Sequence, residues 1–216
     1  MKPISERIWT PARMPRSLAE IIGELVNDLT QISADELRDW SSGLPLPPGW
    51  QSGRIEGASS GQPSRVAVCG QRPDGGWYGC ETLNVYRFSG PAPITATMTH
   101  TDCTLRDLGA DSVANYRLGL SETEGVAAAR SSGYFSAAGL RFWAQYSTYI
   151  RGERAPFDGL LIYQALIVAA DRRGQLGDDI AELGDAMHIE FLDHLATVDD
   201  VCRSLMADSE VLRDGS

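Results

Sequence analysis

Two short stretches hold the residue types that acyl-transfer or thiol chemistry uses. Gly57-Ala58-Ser59-Ser60-Gly61 matches the Gly-x-Ser-x-Gly pattern of a hydrolase nucleophile elbow. That motif needs a strand before it and a helix after it, so that the serine sits on a strained turn. Residues 51–57 are not apolar and Gln62-Pro63 follows, so the flanks predict a flexible loop instead. His100-Thr101-Asp102-Cys103 sets a histidine, a carboxylate and a thiol together at the end of a strand candidate. A thiol nucleophile or a metal pair is one reading; a cysteine acting as a small buried apolar residue is the plainer one. Ser59 and Cys103 are thus the nucleophile candidates, each needing a histidine as base. Three histidines are available: His100, His188 and His194. Asp185 with His188 (i, i+3) and Glu190 with His194 (i, i+4) could each meet on a helix. One carboxylate–histidine pair does not make a metal centre, and surface ion pairing is the expectation. No cofactor motif occurs.

A second group of residues suits binding better than catalysis. Trp143, Tyr146 and Tyr149, with Tyr134 and Phe135 nearby, form an aromatic cluster. In a strand, Arg141, Trp143, Gln145 and Tyr149 share a face. They either pack in the core or line a groove for an apolar ligand, since small-molecule sites combine apolar walls with a few polar groups. The four cysteines contain no Cys-x-x-Cys, which excludes zinc-ribbon and thioredoxin patterns. A turn centred on Asp74-Gly75 would set Cys69 opposite Cys80, a disulfide candidate in an oxidising compartment and a pair of thiols in a reducing one.

The elements that must position these residues are led by two runs at 140–150 and 160–170. Both are rich in aromatic and β-branched residues, and Gly and Pro interrupt the chain between them, as in a β-hairpin. The second run is apolar on both faces, which predicts a central strand. Strand-like segments also occur at 64–71 and 77–88, joined by Pro73-Asp74-Gly75-Gly76, and at 94–99. Residues 105–118 favour a helix. From Leu176 onward, Ile180, Leu183, Met187, Phe191, Leu195, Val198, Cys202 and Leu205 recur at helical steps, a stripe that should cover one sheet face. Near the start, Ser17/Glu20 and Ser33/Glu36 are capping boxes. Leu18, Ile21, Ile22, Leu25 and Leu29 follow the first at helical spacing, so residues 17–42 read as a helical hairpin with an interface stripe. The fold class is α+β: an antiparallel sheet flanked by helices, with residues 1–43 an arm and helical appendage and 44–216 the sheet domain.

The chain has 216 residues, 43% of them hydrophobic, enough to bury a core. Its net charge is −10, which disfavours nucleic acid and anionic membrane surfaces as partners. No apolar run reaches the roughly 20 residues a membrane helix needs, and the start has no secretory-signal pattern. A cytoplasmic location is expected, with export to the envelope by a non-classical route as the alternative. One lysine, Lys2, among so many arginines suggests a GC-rich genome.

The extended Pro47-Pro48-Gly49-Trp50 entry, the hairpin at Asp74-Gly75, and the late strand pair before an acidic terminal helix resemble the LpqN-type lipoproteins of mycobacteria and relatives. The resemblance covers roughly residues 44–195. It implies the PsbP-like fold, an antiparallel sheet flanked by helices, and a non-enzymatic envelope or accessory role with no catalytic residues to carry over. The sequence departs from those proteins in lacking their signal peptide and lipid-modified cysteine. The function expected is therefore non-catalytic binding of a protein partner or an apolar, lipid-like ligand. Either the sheet face or the 17–42 segment would hold it, the latter also as a homodimer contact. A hydrolase or thiol enzyme using Ser59 or Cys103 is the first alternative. A subunit of a secretion-associated complex is the second; Tyr149-Ile150-Arg151-Gly152-Glu153 fits a Tyr-x-x-x-Asp/Glu export pattern but falls inside the hairpin.

Overall fold

A computed structural model describes residues 17–37, 44–53, 62–120 and 125–214. In chain order the elements are α1 (Leu18–Gly23), β1 (Asn27–Gln31), β2 (Trp50–Ser52), β3 (Arg65–Gln71) and β4 (Trp77–Ser89). Then come α2 (Ile94–Thr99), α3 (Cys103–Asp107), β5 (Asp111–Arg117), β6 (Val126–Ala137), β7 (Leu140–Arg151), β8 (Gly159–Ala169) and α4 (Gly177–Asp214). One antiparallel sheet runs β2-β3-β4-β8-β7-β6-β5, with β1 paired to β4 off that path. The hairpin runs are β7 and β8, in register from Phe142↔Ala169 to Arg151↔Leu160. β8 lies mid-sheet, which is why both of its faces are apolar.

Helices cover both faces. On one, α4 lays down Ile180, Leu183, Met187, Phe191, Leu195, Val198 and Cys202, all buried, along the expected stripe; Leu205 lies beyond the sheet and is exposed. Each such side chain, fully buried, stabilises the fold by roughly 1.5–3 kcal/mol. On the other face, α1 and α3 bring Leu18, Ile22, Cys103 and Leu105 against Phe88, Tyr146, Ile150, Leu161 and Tyr163. Tyr146 and Tyr163 stack at 5.6 Å.

Within the described residues, 17–37, the helical hairpin expected over 17–42 does not form; residues 38–42 lie outside them. The Ser17/Glu20 capping box closes as read, at 3.2 Å and 2.8 Å. The helix nevertheless stops at Gly23, and Asn27–Gln31 becomes an edge strand. Asp28 at φ +55° helps turn the chain, a conformation that Asp tolerates better than most residues. The cause lies in β4, which is 13 residues long. β3 pairs only its first half, from Gln71↔Trp77 to Arg65↔Leu83, and β1 takes residues 86–89 of the same edge. Between them the Val85 carbonyl accepts from Ile32 N–H at 2.8 Å, and Val85 N–H donates to Ser64 Oγ at 3.2 Å. Ser64 Oγ in turn donates to the Ile32 carbonyl at 2.7 Å. Unpaired backbone groups on β4 thus outbid local helix preference. The Ser33/Glu36 box also closes, but around a turn.

Two further segments differ from expectation. Residues 94–99 alternate like a strand but form α2. The Thr97 and Thr99 hydroxyls donate to the carbonyls of Pro93 and Thr95, satisfying themselves along the helix. Residues 105–118, expected as a helix, split between the end of α3 and β5.

The β3–β4 loop corrects the Cys69–Cys80 pairing. Gly75 N–H donates to the Arg72 carbonyl and Arg72 N–H to the Gly76 carbonyl, with Gly75 left-handed at φ +87°. That is a three-residue loop centred on Asp74, not a two-residue one. Cys69 therefore opposes Gly79 and Cys80 opposes Val68. The one-residue shift points the two thiols to opposite faces of the sheet, where no disulfide can join them.

Candidate functional site

The strand face carrying Trp143, Gln145 and Tyr149 is not an open groove, because α4 lies on it. All three are buried. Tyr149 packs 5.2 Å from the Phe191 ring and 5.9 Å from His188, and Arg173 sits 4.1 Å over Trp143. Arg141 lies at the exposed end of the strand, where Nη2 contacts both Asp111 carboxylate oxygens at 2.7 Å. Polar side chains between sheet and helix fix where α4 sits. Arg65 Nε lies 3.1 Å from Glu81, Gln164 donates to Glu81 at 2.7 Å, and the same amide donates to the Leu183 carbonyl at 3.1 Å. Burial pushes the Glu81 carboxyl up from its ordinary value, against the pull of Arg65. Gly184 lets the Arg130 guanidinium approach α4, since a Cβ there would come within 2.8 Å of Nη2 and displace it.

Among the residues with nucleophile or base chemistry, Cys103 and His100 are neighbours, the Cys103 N–H donating to the His100 carbonyl at 3.0 Å. Cys103 is buried under α3, its thiol pushed up chiefly by burial, with Thr104 hydrogen-bonded to Tyr163 at 3.0 Å beside it. His188 and His194 belong to α4, across the sheet. Ser59 lies outside the described residues. Among the described residues, no three metal-capable side chains come together, and no helix is long and apolar enough to cross a membrane. Of the apolar stripe near the start, Leu18 and Ile22 are core, Ile21 and Leu29 are half-buried against it, and only Leu25 stands exposed.

A cleft opens where β7 ends. It has a volume of about 970 Å³ and lies between the segments at 91–94, 125–126 and 151–154 and the second half of α4. Ile94, Val126 and Met206 supply partly exposed apolar wall, while Leu195 and Val198 also line it but are buried. Gly152 passes so close to the 91–92 backbone that a Cβ would meet Ala92 N at 2.9 Å, which seals one side. Glu153 accepts from Gly90 N–H at 2.6 Å, Arg154 pairs with Asp199, and Arg203 pairs with Asp200 at 2.9 Å.

Arg151 lines this cleft and is only 5% exposed. Its Nη1 donates to the Gly152 carbonyl and Nη2 to the Asp158 carbonyl, both at 2.7 Å, while Nε is buried without a partner. Burial lowers the guanidinium from its ordinary value. On its other side lies a smaller cavity of about 300 Å³ that contains His194, Phe157 and Leu160. Burial, and then the Arg151 charge, bring the His194 imidazole down to about 4. Sequence reading assigned Arg151 no site role. The signal was its parity: it continues the 141–149 series onto the face under α4, where a charge has no ordinary reason to be.

No family model matches the sequence, and no curated protein matches it. Among solved structures, LpqN, described as involved in cell envelope biogenesis of Mycobacterium tuberculosis, superposes with a TM-score of 0.56 at 15% identity. The match covers 78% of this chain and 94% of that one. The fold is similar to that of LpqN. At this identity the likeness is one of fold alone, so the family resemblance of residues 44–195 holds at the level of architecture. Human STARD10 aligns over 74% of this chain and 81% of that one at 10% identity, with a TM-score of 0.22, too low to equate the folds.

Proposed function

We propose that this chain is a non-catalytic binding protein that holds an apolar small molecule in the cleft at the end of β7. The cleft itself carries the reading: about 970 Å³, lined by the partly exposed Ile94, Val126 and Met206 and by five charged side chains. Its volume falls in the range of small-molecule sites, and its lining mixes apolar and charged side chains. The sheet face around Trp143 and Tyr149 is already occupied by α4, so it serves as core. Of the candidate bases, His188 and His194 lie across the sheet from Cys103. His100 is its neighbour, but burial raises the Cys103 thiol, which supports binding over thiol catalysis.

Methyl NMR tests the reading. Titration with 1-dodecanol should shift the Ile94, Val126 and Met206 methyls saturably and leave those of Leu18 and Ile22 unchanged. In Met206→Trp, whose exposed side chain would fill the cleft from its rim, affinity should fall by at least about tenfold with Tm unchanged. Saturable shifts centred on the α1 side instead, or none at all, would overturn the proposal.

A further inference from the structure

We infer that the cleft is selective for a single-chain amphiphile with a carboxylate head, the head pairing with Arg151 and the tail lying along Ile94, Val126 and Met206. This rests on the cleft being a ligand site, as proposed above, and specifies what enters it.

Arg151 is the reason. A buried guanidinium is costly unless an anion pairs with it. Its two hydrogen bonds go to neutral carbonyls, those of Gly152 and Asp158. Among the described residues it takes part in no salt bridge, whereas Arg154 and Arg203 at the same cleft are held by Asp199 and Asp200. A guanidinium has five N–H donors, so donors remain after these contacts. Arg154 and Arg203 at the cleft are thus balanced by Asp199 and Asp200, which leaves Arg151 as the lining cation outside any ion pair among the described residues. Glu153 is turned to Gly90 N–H.

The size of that charge selects the head group. One unpaired guanidinium matches the single charge of a carboxylate, which it can grip in its planar fork. A phosphate monoester brings close to two charges, and the nearby arginines that would neutralise the second are already engaged. The partly exposed apolar lining then calls for a tail, because a short carboxylate would leave Ile94, Val126 and Met206 in water.

The test compares three probes with the same tail, each below its micelle concentration and at low salt: dodecanoate, dodecyl phosphate and 1-dodecanol. Calorimetry should rank dodecanoate about 10- to 100-fold tighter than 1-dodecanol, the range of one charge-assisted contact. The Arg151 side-chain ¹⁵Nε resonance should move with dodecanoate and stay still with the alcohol. Arg151→Gln should bring the two affinities together, and Arg151→Lys should keep part of the difference. Should Arg151→Gln fail to fold, the wild-type ranking and the Nε shift still decide the matter. Equal affinity for dodecanoate and 1-dodecanol overturns this inference and leaves the cleft a ligand site. Tighter binding of dodecyl phosphate overturns the choice of carboxylate. Failure of all three probes to bind overturns the ligand-site reading itself and this inference with it.

Discussion

The Trp50 indole N–H donates to the Asp179 carboxylate at 3.0 Å, joining the edge strand β2 to the first turn of α4 across 129 residues of sequence. The bond is partly buried, and the Trp50 ring also packs with Cys69, Ile180 and Leu183. It places a carboxylate at the helix N-terminus, where the backbone dipole favours one, and it anchors the end of α4 farthest from the cleft.

Trp50→Phe keeps most of the ring packing and removes the donor. The expected loss is about 1 kcal/mol, or a fall in Tm of about 2–4 °C for a chain of this size. Differential scanning calorimetry measures it. An unchanged Tm would mean that the indole contributes by packing alone.

The cysteines should be inert in the native protein. The Cys69 thiol is pushed up to about 11, by burial first and the Asp179 charge second, and burial also raises Cys80 and Cys103. A thiol is reactive as the thiolate, so alkylation at pH 8 should be slow until denaturant is added. Prolonged air oxidation should give no Cys69–Cys80 crosslink, since their side chains leave the sheet on opposite sides. Peptide mapping checks both, and a Cys69–Cys80 crosslinked peptide from folded protein would contradict the register described.

Acid should destabilise the fold through His194. Its folded value, about 4, lies below the ordinary 6.5, so between these pH values the unfolded chain binds a proton that the folded chain refuses. Stability is unaffected by this group above about pH 6.5, declines as pH drops through that window, and levels off below pH 4. With His194 partly exposed, the decline should amount to about 2 kcal/mol, less than the full shift would give. Urea denaturation at pH 7 and pH 4.5, repeated on His194→Gln, isolates it. The variant should lose that part of the slope, and an identical slope would assign the effect elsewhere.

Long, regular patterns made much of this fold legible. The α4 stripe from Ile180 to Cys202 and the twin runs forming β7 and β8 stood out because each repeats one period over many residues. Their burial confirms that period. Leu18 to Leu29 misled because a helical stripe of about three turns does not reveal that β4 is longer than its partner β3 and leaves edge to be filled. Cys69 and Cys80 turned on a single residue of loop length, which Pro73-Asp74-Gly75-Gly76 leaves open. The aromatic face of β7 was located correctly as a face, but its covering by α4 is a tertiary fact. The cleft is absent from local pattern altogether, because its walls come from four separate segments that only the fold brings together. Arg151 alone was readable in advance, as a charge on the inward side of a strand.

The division of β4's edge between β3 and β1, with Ser64 stitched across the join, bears on how this protein behaves at high concentration. An exposed run of strand backbone is a template on which other chains polymerise. Here the longest strand of the sheet offers no such template on that side, because the residues before Gln31 act as a stopper. Trimming the chain to residue 44, the boundary that sequence patterning alone would choose, would pull that stopper. The shortened protein should be prone to fibrous aggregation in a way the whole chain is not.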